Sequence, residues 1–373
     1  MKIMVVKDRN VLNTKFLAQF TNSLAEEGHD VHIVCDTFRK QGSGVTLNPK
    51  VKFTNLNPKT KNPLVNFFHW FREIFFIPCF RYKKFIEKEK PDVIFCYFLV
   101  DLFNVAFLQK HGIPIVMMMH CYPPAMLGRF QKKSKLKWKI YEKCAEQVSV
   151  FHVLMKSYEP TIAPYFKVNR VATVPNEVVQ IPLAEQTDLN NEKKKIVYVA
   201  RVEKEGKRQH LIVEAFAKIA KEFPDWHVEF WGMQKYPAYD QELMDLAKSY
   251  GIEKNVHLMG FSNNIQEVYR NADIHAFASL HEGFSLALAD GMAMGLPSVG
   301  CLETPSVNEL IVEGHNGFLA KDVDDFAQKL KMLMQDKALR IRLGRNAVED
   351  MKAYAPELVA RQWSKLIEEI VQK

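Results

Sequence analysis

Residues 279–300 read S-L-H-E-G-F-S-L-A-L-A-D-G-M-A-M-G-L-P-S-V-G. The pattern predicts a buried strand that ends just before this stretch, then a sharp turn at Glu282 and Gly283, then a helix of small residues over about 285–294. A glycine and a proline end that helix before the next strand. The stretch therefore predicts a strand-turn-helix corner of a parallel α/β sheet.

This corner has the chemical features of a phosphate site. The first turn of a helix presents unpaired backbone N–H groups and the positive end of the helix dipole, and both favour an anion. Glu282 precedes the helix and Asp290 lies about one turn inside it. Because carboxylates accept hydrogen bonds from hydroxyls, we expect a phosphate and a sugar to bind side by side. The alternative is an ordinary Glu-Gly turn before a well-packed helix.

A second stretch places two cations near the end of another predicted strand. Residues 197–216 read V-Y-V-A-R-V-E-K-E-G-K-R-Q-H-L-I-V-E-A-F, with Arg201 just past the strand and Lys207 six residues later. Cations at the carboxyl end of a parallel strand suit a diphosphate, whose negative charge grows as it leaves. Arg208 is a competing cation, although the register of the following helix favours Lys207. A solvated basic loop is the alternative.

Length and composition indicate a globular protein of two domains. The chain has 373 residues, too many for one ordinary core, with 47% hydrophobic and 25% charged residues. No apolar run reaches the roughly 18 to 20 residues that span a bilayer, and the first residues do not resemble a signal peptide, so we expect a cytoplasmic protein. The six cysteines are scattered, which predicts reduced thiols and no zinc site.

Strands and helices are predicted to alternate along the whole chain, as in doubly wound sheets. Predicted strands cover 1–6, 31–35, 93–97, 115–119, 196–199, 227–231, 256–259, 274–276 and 298–300, and predicted helices cover 14–27, 209–221, 239–250, 285–294 and 356–371. We expect an N-terminal domain over 1–177, a C-terminal domain over 178–355, and a C-terminal helix over 356–373.

Together the motifs resemble the signature of the GT4 family of retaining, nucleotide-sugar-dependent glycosyltransferases. The family pattern is Glu, seven residues, Glu, then a helix and G-L-P; Glu282 fills the first position, and Asp290 stands where the family has the second Glu. The resemblance implies an α/β GT-B fold, in which two Rossmann-like doubly wound domains face a central cleft. It also implies that the donor binds the C-terminal domain and the acceptor the N-terminal domain. The implied donor-binding residues are Arg201, Lys207, Glu282, Gly283, Phe284, Ser285, Leu286, Asp290 and Asn13, and the implied catalytic residues are Glu282, His120, Arg201 and Lys207.

Two of these residues belong to the N-terminal domain. His120 ends the apolar run I-V-M-M-M; a hydrogen-bonded structural histidine is one interpretation, and the resemblance implies a donor-sugar pocket. The first strand-helix loop, K-D-R-N-V-L-N, lacks the glycine pair of many family members. Asn13 tolerates a left-handed backbone and donates from its amide, so we expect it to substitute. Similarly, Pro305 and Ser306 stand where the family has two glycines before Glu309.

The resemblance implies transfer of a sugar from a nucleoside-diphosphate sugar, with a UDP-sugar favoured, to a hydroxyl of a glycan or lipid-linked acceptor. The product would retain the anomeric configuration and serve cell-surface polysaccharide or glycolipid synthesis. We expect neither a metal nor a cofactor, because Arg201 and Lys207 neutralise the leaving group and the acids of D-V-D at 322–324 cap a helix. Alternatives are an inactive sugar-nucleotide-binding or scaffold protein, an epimerase and a phosphorylase.

The positive charge of the chain is concentrated in its first half. The net charge is +8 overall, whereas residues 1–180 carry 27 Lys and Arg against 14 Asp and Glu, a net charge of +13. Basic segments with aromatic residues at 64–85 and 129–143 suit anionic lipid headgroups, so we expect an anionic membrane surface as a partner and a peripheral location on the inner face of the cell membrane. A core helix with one solvated face is the alternative. No nucleic-acid recognition motif accompanies the charge.

Overall fold

The computed structural model describes residues 1–8, 15–36, 46–57, 77–108 and 110–372. The chain forms two compact units: one comprises Met1–Glu177 and Pro356–Lys373, and the other comprises Val178–Ala355. Each unit contains one parallel sheet together with helices. The predicted fold class of two Rossmann-like doubly wound domains is confirmed.

The N-terminal unit contains seven described strands. They are β1 (Lys2–Val6), β2 (Asp30–Cys35), β3 (Lys52–Asn55), β4 (Val93–Cys96), β5 (Ile115–Met119), β6 (Val148–Val153) and β7 (Val171–Thr173). Their order is β3-β2-β1-β4-β5-β6-β7, and the described pairings are parallel. The strand order changes direction between β1 and β4. In open parallel sheets, ligands bind at the carboxyl ends of the strands on either side of such a point.

Five helices in the described part of this unit precede the second sheet. They are α1 (Lys15–Glu26), α2 (Ile77–Glu89), α3 (Leu99–Ala106), α4 (Pro123–Lys133) and α5 (Lys135–Ala145). β4 and β5 are buried along their whole length, as expected for strands with helices on both faces. This burial explains why their sequences are continuous apolar runs.

The C-terminal unit has a six-stranded parallel sheet. Its strands are β8 (Lys195–Val199), β9 (His227–Trp231), β10 (Val256–Gly260), β11 (Ile274–Phe277), β12 (Ser298–Cys301) and β13 (Gly317–Ala320). The order is β10-β9-β8-β11-β12-β13, so winding reverses between β8 and β11. Its helices are α6 (Lys204–Lys207), α7 (Gln209–Ala217), α8 (Pro237–Ser249), α9 (Ile265–Arg270), α10 (Leu286–Ala293), α11 (Val307–Leu310), α12 (Val323–Gln335) and α13 (Lys337–Met351).

The last helix, α14 (Pro356–Val371), belongs to the N-terminal unit and packs on α1. Trp363 of α14 is 1% exposed, and its ring meets Phe20 and Phe95 edge-on at centroid distances of 5.0 and 5.6 Å. The end of the chain therefore completes the core that its beginning started. Among the helices in the described ranges, none is both long and apolar enough to span a membrane.

The structure contains strands and helices that the sequence prediction omits, including α13 with 15 residues. β3, β6, β7 and β13 are absent from the sequence prediction; β7 and β13 have only three and four residues, too few for a periodic pattern. The helix predicted over 209–221 ends at Ala217, and a 3₁₀ turn follows at Ala220–Glu222. Further 3₁₀ turns lie at Lys156–Thr161, Leu183–Glu185 and Lys352–Tyr354.

Candidate active site

The predicted corner is built where β11 ends and α10 begins. Ser285 precedes α10 with φ 57°, a left-handed conformation that is costly for a non-glycine residue. Its hydroxyl hydrogen-bonds the hydroxyl of Ser306 at 2.7 Å, and Ser306 itself has φ 72°. Ser285 therefore does not cap the helix with its side chain. The first N–H groups of α10 point towards the corner with no partner inside the helix.

Lys207 and Glu282 form an ion pair at this corner. Lys207 Nζ donates to Glu282 Oε1, and the two side chains are only 17% and 15% exposed. A partly buried pair of this kind is held more firmly than a surface pair, because water screens it less. The structure thus brings together two of the residues that the sequence predicts for catalysis.

Tyr198 on β8 holds the two loops of the corner together. Its buried hydroxyl donates to the Lys207 carbonyl at 2.9 Å and lies 2.8 Å from the Ser279 hydroxyl. The Leu280 N–H also donates to the Gly206 carbonyl at 2.9 Å. These bonds fix the position of Lys207 relative to Glu282, and nothing in the local sequence around Tyr198 predicts them.

Arg201 lies on the same segment between β8 and α7 as Lys207, and its side chain is largely open to solvent. Its side chain is 56% exposed and Nη2 lies 3.3 Å from Glu203. The backbone is fixed, because Gln209 donates from Nε2 to the Arg201 carbonyl at 2.8 Å. Gly232 has φ 147°, and a Cβ there would lie 2.1 Å from the Ala200 carbonyl oxygen. Only glycine lets β9 approach this loop so closely.

Arg208, the competing cation, is committed to the loop after β11. Its guanidinium donates to the carbonyl oxygens of Ala278 at 2.9 Å and Ser279 at 3.3 Å, and it pairs with Glu303 at 2.5 Å. Arg208 has φ 52°, which turns the chain sharply between α6 and α7. Arg208 therefore supports the corner, whereas Lys207 points to Glu282.

The other predicted donor-binding residues differ in what they present. Phe284 is 2% exposed, and its ring packs against Tyr354 at 5.2 Å, so only its backbone is available to a ligand. Gly283, Leu286 and Asp290 are half-buried along the same turn and helix. Burial raises the pKa of Tyr269 well above its usual value and the charge of Asp290 raises it further, which places this carboxylate near Tyr269.

The D-V-D segment caps a helix, as the sequence predicts. Asp322 precedes α12 and accepts from the Asp325 N–H at 2.8 Å. Asp324 pairs with Lys218 at 2.8 Å on the surface. Within the described ranges, no cluster of three or more His, Cys, Asp or Glu is arranged to hold a metal ion.

His120 follows β5 in the N-terminal unit. Its ring stacks on Tyr97 at 4.0 Å with an interplanar angle of 18° and packs against Phe16 at 4.3 Å. Burial lowers the pKa of His120 well below its usual value, and His152 and Lys7 lower it further, so the imidazole is neutral. Its Nε2 has no hydrogen-bond partner among the described residues. A neutral ring with an open nitrogen suits a hydroxyl ligand.

Lys7 and Asp8 follow β1 at the same sheet edge as His120. Neither residue is predicted from the sequence to belong to the site. Lys7 Nζ lies 4.5 Å from the centroid of the Tyr97 ring. The Asp8 carboxylate accepts from Tyr82 at 2.5 Å and Asn104 at 2.6 Å, and burial raises the pKa of Asp8 to about 6. Two charged residues directly after a buried strand were the available signal. The predicted contribution of Asn13 lies outside the described residues.

Comparisons with known proteins identify the family. The family model described as "Glycosyltransferase Family 4" matches residues 14–178, and the model described as "Glycosyl transferases group 1" matches residues 180–350. The two matches leave out only the termini and residue 179. The chain belongs to the GT4-type glycosyltransferases. This GT4-type chain also has the predicted GT-B fold, because it superposes on Anabaena HepE, solved in complex with UDP, with a TM-score of 0.76 over 99% of this chain and 100% of HepE at 15% identity.

Two curated relatives match only part of this GT4-type chain. A Haemophilus influenzae protein, described as an uncharacterized glycosyltransferase, is 24% identical over 54% of this chain and 56% of its own length. The N,N'-diacetylbacillosaminyl-diphospho-undecaprenol alpha-1,3-N-acetylgalactosaminyltransferase of Campylobacter jejuni is 29% identical over 31% of each chain. This chain therefore spans about half or less of the length of these relatives.

Proposed function

We propose that this protein transfers a sugar from a nucleoside-diphosphate sugar to a hydroxyl group, with retention of the anomeric configuration. The observation that carries the proposal is the Lys207–Glu282 pair just before α10, with Arg201 on the same segment as Lys207. A cation, a helix N-terminus and a carboxylate at one corner suit a diphosphate attached to a polyhydroxyl sugar. HepE, which shares the fold, was solved with UDP, and this supports a UDP-sugar as the donor.

Each residue has a distinct role in this proposal. Arg201 and Lys207 neutralise the charge that develops on the diphosphate, so no metal ion is needed for that purpose. Glu282 keeps Lys207 in position and accepts hydrogen bonds from the sugar, while Asp290 accepts from the ribose hydroxyls. His120 contributes a neutral imidazole to the sugar pocket.

The bond changes balance without a co-reactant. The bond between the anomeric carbon and the phosphate oxygen breaks, and the acceptor oxygen bonds to the same carbon on the same face. The acceptor proton passes to the departing phosphate, which gives a glycoside and a nucleoside diphosphate. No carboxylate is assigned as a nucleophile.

We propose a lipid-linked acceptor at an anionic membrane surface, which places the protein on the cytoplasmic face of the membrane. Six cations of α4, α5 and their junction are exposed: Arg129, Lys132, Lys133, Lys135, Lys137 and Lys139. Leu136 is 72% exposed and Phe130 36% exposed among them. Exposed apolar side chains within a basic surface favour anionic headgroups. The diphospho-undecaprenol acceptor in the name of the Campylobacter relative supports the same chemistry.

The test is a transfer assay with the purified full chain. A panel of UDP-, GDP- and ADP-sugars is incubated with a lipid extract and with soluble glycans, with and without excess EDTA. We expect one donor to give a product whose anomeric configuration, measured by NMR, equals that of the donor, at a rate that EDTA does not change. An inverted product, or a strict metal requirement, would contradict the mechanism. Nucleotide binding with no transfer to any acceptor would favour the inactive alternative.

A further inference from the structure

A cavity of about 650 Å³ lies in the N-terminal unit, away from the residues of the candidate site. Three of its lining residues, Lys83, Ile86 and Glu87, belong to α2, and the others follow the ends of α2 and α3, just before β4 and β5 begin. Lys7 and His120 lie at the opposite, carboxyl edge of the same sheet. The proposed transfer reaction therefore assigns no role to this cavity.

The lining of the cavity has a net positive charge. Lys83 lies 4.0 Å from Glu87, one helical turn away, so this pair contributes no net charge. Lys90 and Lys110 also line the cavity, and both side chains are exposed at its rim. A concave surface with an excess of ammonium groups concentrates anions.

His111 adds a neutral imidazole to the same lining. Its Nδ1 accepts from the Ile113 N–H at 3.2 Å, so the neutral ring carries its proton on Nε2. Burial lowers the pKa of His111 and keeps the ring neutral. The Nε2–H is covered and has no acceptor among the described residues, so the ring forms part of the cavity wall and is not counted as a donor to a bound anion.

Lys90 has a left-handed backbone conformation, which is unfavourable for a lysine. It follows α2 with φ 47°, and its N–H donates to the Ile86 carbonyl at 2.8 Å. This position after a helix favours glycine, because other residues are strained there. A lysine costs stability at this place but puts an ammonium group on the cavity.

We propose that this cavity binds a small organic phosphate, separate from the proposed donor site. The phosphate contacts Lys90 and Lys110 beside the neutral His111 ring, and the organic portion lies on the apolar part of the lining. That part includes Ile86 and Leu108; Ile86 is buried and Leu108 is 38% exposed. Such a site would sense a phosphorylated metabolite or hold the phosphate of a lipid headgroup.

The experiment measures binding of glycerol 3-phosphate and of inorganic pyrophosphate to the full chain by titration calorimetry. The background is the Arg201→Ala, Lys207→Ala variant, so that the proposed diphosphate site does not contribute. Adding Lys90→Gly and Lys110→Gln should weaken binding at least about tenfold, since each removes a charge-assisted contact. Glycine suits the backbone at position 90, so Lys90→Gly alone should raise the melting temperature while it weakens binding.

The matched control replaces two exposed lysines of the same unit, Lys156→Gln and Lys167→Gln, and should leave binding unchanged. A second measurement follows the His111 ring signal by NMR, assigned with His111→Gln, and it should shift on titration. Vesicles of phosphatidylglycerol distinguish the sources: weaker vesicle binding by the cavity variant assigns the phosphate to a lipid, and unchanged vesicle binding assigns it to a soluble ligand. Equal calorimetric binding by the cavity variant and its background would overturn the proposal.

Discussion

Lys207 and Glu282 are 75 residues apart in the sequence and joined in the fold. Because both side chains are largely covered, removing either partner breaks a partly buried ion pair and costs stability. Arg201 differs, since its side chain is more than half exposed. We therefore expect substitutions of Lys207 or Glu282 to lower both activity and stability, and substitutions of Arg201 to lower activity alone.

The first prediction concerns the two cations. Arg201→Ala and Lys207→Ala should each reduce turnover about 100-fold or more, because each removes a contact to the leaving diphosphate. Thermal unfolding should be unchanged for Arg201→Ala and lowered for Lys207→Ala. Lys204→Ala is the matched control: Lys204 is exposed on the same short segment and pairs with Glu242. Near-normal turnover in the double variant would remove both residues from the mechanism.

The second prediction concerns Asp290, which occupies the position of a family glutamate. Asp290→Glu should keep or strengthen nucleotide binding, whereas Asp290→Ala should weaken it by about 1 to 3 kcal/mol if the carboxylate accepts ribose hydrogen bonds. Titration calorimetry with the preferred nucleoside diphosphate measures both. Asp324→Ala is the control, since Asp324 is an exposed surface acid. An unaltered affinity for the alanine variant would make Asp290 irrelevant to the donor.

The third prediction uses His275, which is buried on β11 with no hydrogen-bond partner for either ring nitrogen among the described residues. Burial lowers the pKa of His275 to about 3. Below pH 6.5 the unfolded chain binds a proton that the folded chain does not, so stability falls as pH falls from about 6.5 towards 3. Between pH 7 and pH 5 this histidine should cost about 2 kcal/mol of unfolding free energy.

The comparison is His275→Leu, measured by urea unfolding at pH 7 and pH 5. The variant should lose less stability on acidification than the original chain. His120 and His152, whose pKa values burial also lowers, still contribute to its remaining pH dependence. Asp8 acts in the opposite direction, because its raised pKa favours the folded state at the lower pH. An identical loss in both proteins would contradict the assignment to His275.

At the scale of elements, α4 and α5 form one exposed basic surface interrupted at Ser134. Ser134 caps α5 by accepting from the Lys137 N–H at 3.4 Å. Trp138 does not belong to the surface: it is 5% exposed, stacks on Phe166 and donates to Glu142. Trp138 therefore belongs to the core and is not available to contact lipid, in contrast to what the sequence predicts for the aromatic residues of this segment. Part of the other predicted segment, 64–76, lies outside the described residues.

The fourth prediction tests this surface by vesicle sedimentation. The full chain should bind anionic vesicles but not neutral ones, and about 0.5 M salt should weaken binding through screening. Changing Lys132, Lys133, Lys135 and Lys137 to Glu should abolish it, since each lysine near an anionic surface contributes about 1 kcal/mol. The charge-matched control changes four lysines that are exposed in the C-terminal unit to Glu: Lys221, Lys248, Lys254 and Lys321. Equal binding to both vesicle types, or to neither, would indicate a soluble acceptor.

At the scale of the molecule, the chain leaves the N-terminal unit after Glu177 and returns at Pro356. The unit's core thus contains residues from both ends of the chain, including Ile3, Phe20, Trp363 and Ile367. Because α14 supplies part of this core, the N-terminal unit should not reach full stability without it. The return of the chain couples completion of the first unit to synthesis of the last helix.

The fifth prediction follows from this arrangement. Trp363→Ala should destabilise the N-terminal unit by about 3 to 5 kcal/mol, the usual cost of emptying a buried aromatic site. Urea unfolding with hydrogen exchange resolved by unit measures the effect and locates it. Lys365→Ala on the same helix is exposed and serves as the control. Wild-type stability in the Trp363 variant would show that α14 contributes little to the core.

Features that depend on neighbours within about one helical turn follow from the local sequence. The corner at 279–300, the Asp322 cap and the α14 helix were predictable, because glycines, caps and apolar periodicity act locally. The family resemblance added the GT-B fold. The functional roles assigned to Arg201, Lys207, Glu282 and Asp290 remain predictions.

Contacts between distant groups depend on the fold. The fold pairs Lys207 with Glu282, brings Arg208 to the β11 loop, and buries Phe284. It also joins Asp8 to Tyr82 and Asn104, residues on α2 and α3. These contacts depend on the order in which strands pair, which brings loops from remote parts of the chain to one edge of a sheet. Short-range sequence patterns carry no information about that order, so the site's geometry required the fold.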